Sequence, residues 1–230
     1  MEAVMFSLSK DWNPHQKSLK GIIQKEEKHD EAIKKILYLH SLVHSSEVSG
    51  TKINTFEDEV FDGLVYDKIL DKPTIECAKF PWHIWHITRI EDLTANILIA
   101  DDKQVFLSDD WSNRINVDIS DTGNGMTDEK IFELSKQFDI EQLREYRKAV
   151  GLRTRDIIKN MNPGDFRIKV SKERLDRILH EGGVLDIKDS ISLLEFWDKK
   201  NIAGIVNMPI LRHHVVHLNK LLALKKKYCK

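Results

Sequence analysis

Apolar positions along the chain recur mainly at spacings of three and four, the period of a helix with one buried face. Four long segments carry that period. The first covers about residues 16–45, with Ile33, Ile36, Leu37, His40 and Val43 on one stripe. Ser45, Ser46, Ser49 and Gly50 end it, since short hydroxyl side chains and glycine favour turns. The second covers about residues 75–100, where Trp82, His86, Ile90, Leu93, Ile97 and Ala100 form a stripe. The third covers about residues 140–160, with Leu143, Tyr146, Val150, Ile157 and Met161 on its apolar side. Gly151 inside it costs roughly 1 kcal/mol against alanine, a loss that close packing can offset. The fourth covers about residues 191–226, with a break at Asn207-Met208-Pro209. Because proline suits a first helical turn and not an interior, Asn207 is expected as a cap, with the main helix over 208–225.

Shorter elements fill the remainder. Thr55 and Asp58 have the spacing of an N-terminal capping pattern, Thr127 caps another start, and a helix over 171–180 stops at Gly182-Gly183. Pro73 belongs to a turn. The connection around 101–127 holds Ile115, Val117 and Ile119, enough for one short strand at most, and then Asp121-Thr122-Gly123-Asn124-Gly125, read as a solvent-facing turn. Asn162-Pro163-Gly164-Asp165 opens a second long connection, around 162–190. The pattern predicts an all-α chain, residues 1–230 as one domain: an antiparallel four-helix bundle with extra short helices and two long connections.

Composition narrows the function. Lys plus Arg is 36 against 37 for Asp plus Glu, so the balanced charge gives no long-range pull on nucleic acid. No apolar run approaches the roughly 20 residues of a membrane helix, and the first residues lack the charge and apolar core of a signal peptide. Cys77 and Cys229 are too few for a disulfide framework. A cytoplasmic protein with reduced thiols follows as the expectation.

Candidate chemistry lies in ten histidines, unevenly placed. His83 and His86 lie on the second long segment, and His213, His214 and His217 on the last. Residues four apart share a helix face, so His213 and His217 can aim at one point, and His86 lies on the core stripe of its own helix. Were the two helices neighbours, three neutral imidazoles would converge on a divalent metal with positions left open, as at catalytic zinc. The alternatives His83 and His214 stay open, because Ile210, His214, His217, Leu221 and Leu224 make an equally good stripe. Imidazole suits zinc, copper, iron and nickel. His29, His40, His44 and His180 read as hydrogen-bonded structural residues. No G-x-S-x-G, C-x-x-C or H-E-x-x-H motif is present.

Trp85-His86-Ile87-Thr88-Arg89-Ile90-Glu91-Asp92 and His213-His214-Val215-Val216-His217-Leu218-Asn219 give the chain a resemblance to the DinB-like (DinB/YfiT) superfamily of four-helix proteins. That family has a histidine followed by an acidic residue on its second long helix and an H-x-x-x-H pattern on its last. The resemblance implies His86, His213 and His217 as a metal triad, with zinc or nickel as the ion. Glu91 or Asp92 is then placed to orient a metal-bound imidazole, although a helix carboxylate is more often simply solvated. It also implies a thiol-dependent transferase using a bacillithiol-, mycothiol- or glutathione-type thiol on a small electrophilic substrate. Two other readings stand beside it: a non-catalytic bundle with a structural metal or buried histidine network, and an interaction protein, homodimeric through an apolar helix face. Trp85 is expected to line the pocket. Arg144, Arg147, Arg153 and Arg155 are expected to form surface ion pairs with neighbours such as Glu141 and Glu145.

Overall fold

The computed structural model describes residues 6–66 and 74–228. Every regular element among them is helical, with one isolated bridge between Lys169 and Asn201. Pro73 lies outside the described residues, as does Cys229.

The central element is the Ile75–Asp92 helix, capped by Thr74 and prolonged through a wider π turn over Leu93–Ile99. Every residue from His83 to Leu98 is buried. The expected single stripe is therefore too narrow: this helix is enclosed on all sides, and its polar residues Thr88, Arg89, Glu91 and Asp92 are buried with its apolar ones. Around it pack the Asp128–Ser135, Ile140–Lys159 and His213–Tyr228 helices. The His29–Val43 helix lies against Ile140–Lys159 and the last helix. Leu143, Tyr146, Val150 and Ile158 bring the third long helix into the same core as Ile84, Trp85 and Ile90.

Several boundaries differ from the reading of the sequence. The first segment is two helices, Asn13–Ile22 and His29–Val43, parted where the wholly polar run 24–28 has no apolar side chain to bury and forms only a short 3-10 turn, Glu26–Lys28. The strand at 115–119 is absent from the described residues; Trp111–Ile115 is helical instead. The last segment breaks at 199–201, where Asn201 and not Asn207 is the cap, accepting the Gly204 N–H at 3.0 Å. Asn207 spends its side chain on the Ala203 carbonyl. Pro209 sits inside a π turn, Val206–Arg212, whose wider spacing accommodates a residue without an N–H. That turn leads directly into His213. The caps at Thr55 and Thr127 form as the sequence predicts, the first as a full capping box with Asp58, and Ser171, expected as the first residue of its helix, is instead the cap.

A candidate metal centre

Two groups of ring nitrogens and carboxylate oxygens form where the central helix meets its neighbours. The outer one joins His86 to His213 and His217, with one nitrogen of each within 4.8 Å of the others. His86 Nδ1–H donates to the Thr122 carbonyl at 2.8 Å. A carbonyl can only accept, so the proton of this neutral ring is on Nδ1 and its Nε2 carries a lone pair. That lone pair faces His213 Nε2 at 3.2 Å. The spacing fits a shared ion: two ligands of a tetrahedral metal with bonds of about 2.0–2.1 Å lie roughly 3.3 Å apart. His213 Nδ1 has no partner among the described residues, leaving that ring free to present Nε2. His83 Nδ1 lies 2.8 Å from His217 Nδ1, which makes His83 a fourth imidazole at the group's edge.

The protonation state of the rings suits metal ligation. Burial pushes His86 down to about 4, against the opposing Thr122 hydrogen bond, and His83 and His213 to about 3; the Lys220 ammonium adds to the effect at all three and neighbouring imidazoles at His83 and His213. His217 is lowered further by the same causes. At neutral pH all four rings are therefore neutral, the form that binds metal. His213 is half-buried and the other three are buried, so His213 is the ring of the four that meets solvent most. Trp82 stacks on His86 with ring centroids 4.8 Å apart and walls one side.

The flanking loop has a different role from the one its composition suggested. Asp121, Thr122 and Gly123 are buried, and their carbonyls accept from Trp85, His86 and Trp82 respectively. This is a buttress and not a solvent-facing turn. A side chain at Gly123 would place Cβ 2.6 Å from Trp82 Nε1, and its φ of +75° favours glycine independently. Trp85 is fully enclosed in the core and lines no opening; the tryptophan beside the histidines is Trp82.

Neither Glu91 nor Asp92 bonds to the outer group. Asp92 accepts from Arg89, Tyr146 and the backbone of Val105 and Phe106, tying the 101–107 connection to the core. Glu91 belongs to the inner group: His40 Nε2–H donates to its Oε1 and His44 Nε2–H to its Oε2, both at 2.8 Å. His214 Nε2 is 3.3 Å from the same Oε2. Burial works to raise the Glu91 carboxyl, but His44, His214 and the two imidazole hydrogen bonds outweigh it, and it stays ionised well below the usual carboxylate range. His44 is held down to about 3, chiefly by burial. Arg147, expected on the surface, is buried beside this group and bonds Glu57, the Val43 carbonyl and His214 Nδ1. Arg144 does pair with Glu141, at 3.4 Å on the surface.

The sequence reading passed over His40 and His44 as ligands, although their i, i+4 spacing equals that of His213 and His217. A cavity of about 700 Å³ opens elsewhere, between Ala100, Arg153, Arg174 and Ile202, and no histidine of either group lines it. No helix of the described residues is long and apolar enough to cross a membrane. No protein-family model, no curated protein and no solved structure matches this chain.

Proposed function

We propose that this chain is a metal protein of the DinB/YfiT-like type, its long helices forming an antiparallel bundle, in which His86, His213 and His217 hold a divalent ion, zinc or nickel. The observation that carries the reading is the pair of Nε2 atoms of His86 and His213 facing each other at 3.2 Å, with the far side of His86 fixed on Thr122. Such backing on a carbonyl is the usual support of a ligating imidazole. The reaction we assign is transfer of a low-molecular-weight thiol to a small electrophile. A divalent ion held there favours thiolate over thiol at neutral pH. The chain's own residues do the positioning: Thr122 orients His86, Trp82 walls the approach, and half-buried His213 leaves one side open. The Lys220 ammonium adds positive charge that favours an anionic sulfur.

Protein purified without chelator is expected to carry zinc or nickel at this group, and His86→Ala or His217→Ala to lose it, as read by elemental analysis. Conjugation of a model electrophile with glutathione or bacillithiol should depend on the same residues. Metal retained without thiol binding or transfer would remove the transferase assignment. It would favour a structural ion, a reading also supported by the His83–His217 contact of 2.8 Å, which ties the two helices without any substrate.

A further inference from the structure

The inner group plays no part in that reading. His40 lies in the last turn of the His29–Val43 helix and His44 is the residue that ends it, in extended backbone, yet both rings reach the same carboxylate. Their rings are stacked, centroids 4.2 Å apart and 18° from parallel, with both Nε2 atoms on Glu91 of the central helix. These three residues are at most 1% exposed. One donor atom from each lies within 4.8 Å of the others.

We propose that His40, His44 and Glu91 form a second divalent-metal site, sealed in the core and independent of the outer histidines. Two imidazoles and one carboxylate are a donor set for zinc and for ferrous iron. The 2.8 Å separations of Nε2 and carboxylate oxygen must open by about half an ångström to reach the roughly 3.3 Å edge of a tetrahedral ion. Binding also needs each ring to carry its proton on Nδ1 instead of Nε2. His40 Nδ1 and His44 Nδ1 have no partner among the described residues, so that shift breaks no bond on the far side of either ring. His214 borders the group. Arg147 Nη2 donates to its Nδ1 at 3.3 Å, which leaves the proton of this neutral ring on Nε2, facing Glu91 Oε2 at 3.3 Å. His214 Nε2 makes no hydrogen bond among the described residues, so its contact with the carboxylate is electrostatic only, while Glu57 holds Arg147 in place. With no route to solvent, an ion here would enter during folding or local opening and leave slowly.

The test uses the full chain, loaded with cobalt(II) and counted by elemental analysis, with release to EDTA followed through the cobalt d–d absorption. The expected result is two ions per chain released in a fast and a slow phase. The His213→Ala/His217→Ala double variant should keep one ion, the slow one. Glu91→Gln and His40→Gln should each keep one, the fast one. The double variant leaves the inner residues untouched, so the answer does not depend on whether core variants fold. Wild-type protein with one ion, lost altogether in the double variant, overturns the inner site and leaves the outer one standing. A single slow ion retained in the double variant supports the inner site and removes the outer. No cobalt in the wild type overturns both.

Discussion

The two histidine groups share the central helix and the last helix, yet they meet solvent very differently. His86 and Glu91 are five residues apart, a rise of roughly 7–8 Å and a turn of about 140° around the axis, so one helix serves both groups on different sides. His213 and His214 are adjacent and point about 100° apart for the same reason. The outer group ends at half-buried His213, while the inner is enclosed by Val43, Arg147 and Gly151. Similar donors thus have different uses. A group beside solvent can exchange a ligand; a sealed one fixes the packing of the helices around it.

The largest expected difference between them is in stability. Glu91→Ala leaves two buried imidazole donors without their acceptor and should cost about 3–5 kcal/mol. His213→Ala, at a half-buried ring, should cost about 1 kcal/mol or less. Urea denaturation of metal-free protein compares them, and equal losses would erase the distinction. Next comes Gly151→Ala, whose Cβ would lie 2.7 Å from His44 Nδ1. Overpacking of this kind costs about 1–3 kcal/mol, more than the gain of up to about 1 kcal/mol in helix propensity. A net fall in melting temperature with metal binding at the outer group intact is the expected outcome.

Acid should weaken the fold. His44, His83 and His213 are held down to about 3 and His86 to about 4, against 6.5 for the free side chain. Below pH 6.5 the unfolded chain therefore takes up protons that the folded one refuses, so stability rises with pH through this range and is lost as pH falls toward 4 and 3. Each histidine contributes up to about 1.4 kcal/mol per pH unit. Melting temperatures of metal-free protein between pH 7 and 4 read this directly; in His213→Ala/His217→Ala the slope should flatten only in part, because His44 remains. The smallest effect is expected from Lys220→Gln, since Lys220 lowers His83, His86 and His213 and is not among the charges acting on His44. The outer rings should then titrate at slightly higher pH, as followed by NMR of their Cε1 protons, with His44 unmoved.

Much of the local structure was legible because its causes are local. Thr55 with Asp58, and Thr127, cap helices where their side chains reach the backbone within the next turn. The close packing suspected at Gly151 exists, although its partner, His44, lies more than 100 residues away in sequence and was not nameable in advance. The misread elements share another cause. Pro209 looked like a helix start because a π turn depends on what packs around it and not on the residues in it. Asp121–Gly125 looked solvent-exposed because its composition is polar, but its work is done by carbonyls, which every residue has. Glu91 and Arg147 looked like ordinary helix charges, and only their burial distinguishes them.

The sequence by itself determined that the chain is helical, where several of its helices start, and that histidines four apart on a helix would share a face, since all of these follow from spacing along one backbone. The tertiary structure decided which faces meet. It surrounded the central helix on every side, joined His86 to His213 and His217, and turned Glu91 away from them toward His40 and His44. No pattern within one helix contains that information, because a helix with polar residues all round can be buried only when its neighbours supply a partner for each of them.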